Sequence, residues 1–194
     1  MKRQDKMKVR KTRLQKNFQQ TVLKLYRKKN VDEITINEVC EKLDVPRSSF
    51  YYHYKTIRDV VNEIEDDFFR ANKKALVSVM MTGVEKTDYV NALNAIIPVI
   101  KSNETVVKTL RFDSTFLMQW AHLLSASFSK EPGHRENVIA FLTIFGIGDY
   151  LNHGVSLNMF DPDAAYEVAT RVVKIKMGLY SSLSKQSKSD YRVL

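Results

Sequence analysis

The stretch Arg47-Ser48-Ser49-Phe50-Tyr51-Tyr52-His53 concentrates hydrogen-bonding groups and flat rings within seven positions. Arg47 carries a planar fork able to make two parallel hydrogen bonds to O6 and N7 of a guanine. Ser48 and Ser49 have hydroxyls that suit either phosphate oxygens or base edges. Tyr51, Tyr52 and His53 combine apolar contact with a polar tip, the chemistry of a phosphate or thymine-methyl contact. Phe50 and, just beyond, Tyr54 have no such task and read as core. Upstream, Thr35 offers a hydroxyl at the start of a helix, where unpaired backbone N–H groups favour anions.

Groups that would support catalysis are missing from the pattern. There is no GxSxG, no HExxH and no phosphate-binding loop. The Glu65-Asp66-Asp67 run reads as a solvated helix face. Gly146 and Gly148 form a lone GxG, which is no dinucleotide signature. The single cysteine, Cys40, excludes an intramolecular disulfide and cannot build a zinc site alone. It falls on the inward side of a helix, where a thiol away from basic groups is inert. No enzyme activity, cofactor or metal is expected.

Charge points to a polyanion. Residues 1–60 hold sixteen Lys and Arg against seven Asp and Glu, whereas 61–194 hold fifteen of each. The whole net charge of +9 therefore sits in the first third. Much of it is a basic arm of Lys2, Arg3, Lys6, Lys8, Arg10, Lys11 and Arg13, suited to a phosphate backbone or a minor groove. No run approaches 18 apolar residues, and the N-terminus has no apolar stretch of a secretory signal. A cytoplasmic protein without a membrane partner is expected.

The elements that must position these groups are helical. Gly and Pro total ten of 194 residues, well under the roughly 12% of ordinary chains. Leu14, Phe18, Val22 and Leu25 mark one stripe of a first helix over 10–29, with Asn30 as a left-handed terminal residue. Thr35 and Glu38 form the sequence of a capping box for a second helix, whose inner face carries Ile36, Val39, Cys40 and Leu43. Asp44 marks a tight turn and Pro46 the first position of a third helix over 46–53, completing a helix-turn-helix. Thr56 and Asp59 open a long fourth helix with the stripe Ile57, Val61, Ile64, Phe68, Ala71, Ala75 and Val79, ending near Thr82 and Gly83. Five more are expected over 88–101, 104–110, 114–128, 131–153 and 162–183, the last capped by Asp161. The segment 138–148 is apolar nearly all round and calls for partners on every side. The final helix presents two apolar faces, one of Ala165, Val168, Val172, Ile175 and Leu179, the other of Ala169, Val173, Met177 and Tyr180.

The segment from Ile34 to Val61, with its Phe50-Tyr51-Tyr52-His53-Tyr54 block, resembles the DNA-binding signature of TetR-family transcriptional regulators. The resemblance covers about 12–64. It implies an all-α fold, a helix-turn-helix domain over 1–60 and a larger bundle over 61–194 that dimerises through its last two helices and holds an inducer. Matched by position, Thr35, Arg47, Ser48, Ser49, Tyr51, Tyr52 and His53 would face DNA, together with the start of helix four. Two departures stand out. Ile57 replaces a lysine that pairs with phosphate in the family, leaving Lys55 and Arg58 to flank the position. Asp44 and Ser48 replace glycines.

In the bundle, Phe112, Phe116, Trp120, His122, Phe145 and Tyr150 are candidates to line a pocket for a small apolar effector. Leu142, Gly146, Val168, Val172, Ile175 and Leu179 are candidates for the dimer interface. The expected function is that of a homodimeric repressor on a palindromic operator, released by its effector. Open beside it are an activator, and an adaptor or coactivator of the same fold that has lost operator binding, an option Ile57 keeps in play.

Overall fold

A computed structural model describes the backbone of residues 11–190, with side chains as far as Lys176. Among the described residues the fold is all-α, without a strand. The chain divides into two compact units, 1–67 and 68–194, and the division falls within one helix.

The first unit holds α1 (Arg13–Tyr26), α2 (Ile36–Leu43), α3 (Arg47–Tyr51) and the start of α4 (Ile57–Val77). α1 begins later than its periodicity suggested, because Thr12 and Gln15 form a reciprocal cap: Gln15 N–H donates to the threonine hydroxyl and Thr12 N–H to the glutamine side chain. It ends before Asn30, which is not a left-handed terminus. Asn30 instead caps a short 3-10 turn (Val31–Glu33), and its own N–H donates to the Glu33 carboxylate at 2.9 Å.

α2 is capped by Thr35, whose hydroxyl accepts from Glu38 N–H at 3.2 Å. The return half of the expected box is absent because the Glu38 carboxylate is held by Lys29 Nζ at 2.6 Å. Asp44 turns the chain at φ 51, a conformation that short polar side chains tolerate. Pro46 lies one position outside the next helix, as its extended cap (φ −68, ψ 151). α3 is therefore only five residues long; His53 and Tyr54 N–H both fold back on the Phe50 carbonyl. Phe18, Val22, Val39, Phe50, Val60 and Val61 are fully buried and form the core of this unit. The Phe18 and Phe50 rings meet edge-on at 5.2 Å, an arrangement worth about 0.5–1.5 kcal/mol beyond its buried area.

α4 opens with the Thr56–Asp59 reciprocal cap but stops at Val77, short of Thr82. The Thr82 and Gly83 N–H groups, which a longer helix would have used, donate instead to the buried Asp88 carboxylate at 2.6 and 3.0 Å. Its inward positions in the second unit are Phe68, Asn72 and Leu76, one face round from the anticipated Ala71, Ala75 and Val79.

The second unit continues with α5 (Glu85–Ser102), α6 (Glu104–Leu110), α7 (Ser114–Ser125), α8 (His134–Asn152) and α9 (Pro162–Asp190). α7 ends early where Ser125 turns its hydroxyl to Asn137. α8 starts late, with Glu136 accepting from Gly133 N–H. Asp161 caps α9 through the Asp163 and Ala164 N–H groups, and the helix continues seven residues past the expected end. Arg135 bonds Glu85 at 2.8 Å and Tyr166 donates to the same carboxylate at 2.9 Å, joining α5, α8 and α9. Tyr89, its hydroxyl bonded to Thr143, is pushed up to about 12 by burial.

α8 is not enclosed on every side in the chain. Ile139, Ala140, Thr143, Ile144 and Ile147 are buried, whereas Leu142 is half-buried and Phe145 and Gly146 are exposed. α9 likewise buries Ala169, Thr170 and Val173 and leaves Val168, Val172 and Ile175 in solvent. Its positions 177, 179 and 180 lie beyond the described side chains.

Candidate nucleic-acid interface

α3 is too short to be stable alone, so the burial of Phe50 anchors it and fixes which side faces out. Opposite that anchor, Arg47, Ser48, Tyr51 and Tyr52 are exposed, Tyr52 at 83%. Ser49 and His53 are half-buried at the edge, His53 with its ring 4.9 Å from that of Tyr52. Arg47 Nη2 donates to the Tyr51 hydroxyl at 2.9 Å, and its guanidinium sits 5.7 Å from the centre of the Tyr51 ring. The sequence reading missed this pair, although its signal, Arg and Tyr four positions apart, was visible in the helix spacing.

The flanking candidates divide. Thr35 and Lys55 are exposed. Arg58 is also exposed but lies 3.6 Å from the Asp32 carboxylate. Ile57 is buried at 7% and belongs to the core, outside the exposed face. Of the basic arm, residues 2–10 lie outside the described residues. Lys11 is paired with Glu63 at 3.2 Å and with Asp67, while Arg13 is exposed. Tyr54 is inward, bonded to Glu63, and burial pushes its hydroxyl well above the usual phenol range. Cys40 is buried; burial raises its thiol, opposed by the charge of Arg47.

The six pocket candidates of the second unit are not brought together. Phe116 and Trp120 are fully buried in an aromatic cluster with Phe68, whose ring stands 4.8 Å from the indole. Phe112 is exposed under the Arg111 guanidinium. His122 lines an open groove of about 380 Å³ with Phe69, Arg70 and Lys73. Tyr150 lines a different groove of about 450 Å³ between α8 and α9, and Phe145 stacks on Phe141. Four dimer candidates, Leu142, Gly146, Val168 and Val172, line that second groove. Ile175 is exposed farther along α9.

Among the described residues no helix is long and apolar enough to cross a membrane, and no cluster of three metal-ligating side chains occurs. No family model matches the chain, and no curated protein sequence matches it. Among solved structures the chain is similar to the dihydroxyacetone kinase operon activator DhaS, at 14% identity and a TM-score of 0.44, over 85% of this chain and 96% of that one.

Proposed function

We propose that the chain is a DNA-binding transcriptional regulator of the TetR type, a homodimer that represses from a palindromic operator and is released by a small apolar effector. One observation carries the reading: a short helix clamped by a buried phenylalanine turns Arg47, Ser48, Tyr51 and Tyr52 together into solvent, in the part of the chain that holds the whole net charge. Guanidinium, hydroxyls and amphipathic rings on one helix suit a major groove about 12 Å wide. The apolar strip of Leu142, Gly146, Val168, Val172 and Ile175 supports pairing with a second copy. Two heads about one DNA turn apart, roughly 34–36 Å, would then match two half-sites. For an effector to weaken operator binding 100-fold requires about 2.7 kcal/mol of coupling.

Selection from random duplex DNA with the full chain tests the reading. A recovered palindrome bound by two chains is the expected result. Sequence-independent binding with only a steep salt dependence would overturn it.

A further inference from the structure

Resting on that reading, we propose that Arg47 and Tyr51 act as one unit that reads a guanine in each half-site, with Tyr51 as the positioning residue. Arginine side chains are long and lose much rotamer freedom on ordering. Here Arg47 is ordered in advance. Tyr51 accepts one N–H from Nη2 at 2.9 Å and presents its ring face 5.7 Å from the guanidinium carbon, within the range of a cation–π contact. The Tyr51 ring is itself braced edge-on against fully buried Phe50, at 6.0 Å between centres. The brace therefore runs from the core of the unit to the tip of an exposed cation.

A guanidinium has five N–H donors, so the bond to Tyr51 leaves four. Two parallel N–H groups match the O6 and N7 acceptors of guanine, whereas adenine sets its N6 amino donor against one of them. A phosphate would accept the same fork, but for charge alone a lysine does nearly as well; the planar pair matters where two acceptors lie side by side. Holding the fork rigid favours the base edge, because base reading tolerates less misplacement than charge pairing does.

The test compares the full-length wild type with R47K and Y51F, first by selection from random duplexes and then by titration of the enriched duplex. Matched duplexes would carry adenine or 7-deazaguanine at each conserved guanine. In the wild type, one guanine per half-site is expected to be preferred over adenine by about 5- to 150-fold, with a loss on removing its N7. R47K should abolish that preference and the N7 effect, read for each protein as the ratio of its affinities for the guanine and adenine duplexes. Y51F keeps the ring and removes the hydroxyl. It should lower the ratio of guanine-duplex to adenine-duplex affinity several-fold, a change in discrimination that a general folding defect would not produce. Retention of the full guanine preference by R47K would overturn the inference and leave the regulator reading intact. Retention by Y51F alone would remove Tyr51 from the unit and so overturn it as stated. Failure of the wild type to enrich any sequence would overturn both.

Discussion

Tyr51 and Tyr52 at the C-terminal end of α3, and Val168, Val172 and Ile175 on α9, are all exposed, yet the two surfaces leave large side chains in water by different chemistry. On α3 each ring ends in a hydroxyl and one of them grips a guanidinium. Polar tips keep such a surface hydrated until it meets a polar partner. On α9 these exposed groups are branched aliphatics with Arg171 between them, joined on α8 by half-buried Phe141 and Leu142 and exposed Phe145. These aliphatic and aromatic side chains cannot hydrogen-bond, so they gain only when covered by another apolar surface. The first surface is suited to a charged, wet ligand and the second to a dry one. In both cases the buried side of the same helix decides what is shown: Phe50 aims α3, and Ala169 and Val173 aim α9.

The most damaging way to break the comparison is to remove the anchor. Phe50→Ala deletes a fully buried ring packed against Phe18 and Tyr54 and should cost about 3–5 kcal/mol. Because α3 is only five residues, denaturant melts followed by circular dichroism should show the first unit lost, and all DNA binding with it. A stable variant that still binds DNA would mean the exposed α3 face is held by something other than its core.

On the apolar surface, Val172→Asp places a charge where the proposal puts a second copy. Sedimentation velocity should show the dimer weakened by roughly 30-fold, about 2 kcal/mol. Monomer stability should change by less than about 0.5 kcal/mol, as for an exposed site. An unaltered assembly state would remove this face from the interface.

A smaller effect belongs to the turn that leads into α5. Burial alone would raise the Asp88 carboxyl, but hydrogen bonds from Thr82 and Gly83, aided by the charge of Lys130, hold it below the usual carboxylate range. A carboxyl depressed on folding stabilises the protein above its unfolded value near pH 4. The contribution is lost as pH falls through the lower folded value. Asp88→Asn should lower stability by about 1–2 kcal/mol at neutral pH and flatten the acid side of the stability profile below about pH 4.

Most of the helix layout was legible because periodicity and caps are local. Thr56, Asp59 and Asp161 work as caps as their types suggested, and α6 has its expected bounds. The errors arose where a competing partner lay outside the local pattern. Lys29 took Glu38 from its capping box, and Asp88 took the amides that would have prolonged α4. In the exposed α3 face, the residue types were readable but the Arg47–Tyr51 bond needed rotamers. The pocket candidates fared differently: aromatic residues at helical spacing serve the core as well as a cavity, and only packing separates buried Phe116 and Trp120 from exposed Phe112 and Phe145.

The weakest effect expected, and the one that most sharpens the electrostatic half of the comparison, is at Lys55 and Arg58. Both are exposed cations flanking buried Ile57, but Arg58 already faces Asp32 at 3.6 Å. A cation shared with a carboxylate neutralises less of a phosphate and so releases fewer of the counterions condensed on DNA. Lys55→Gln should reduce the slope of log affinity against log salt by about 0.9 for the one phosphate it neutralises, uniformly across duplex sequences. Arg58→Gln should reduce it by less, because a guanidinium already shared with Asp32 neutralises less of a phosphate in the first place. Folding stability should move by under about 0.5 kcal/mol in either variant. Equal slopes for the two would show that the surface pair opens at no cost when DNA arrives. A larger change at Arg58 would shift the phosphate contact from the turn before α4 onto the helix itself.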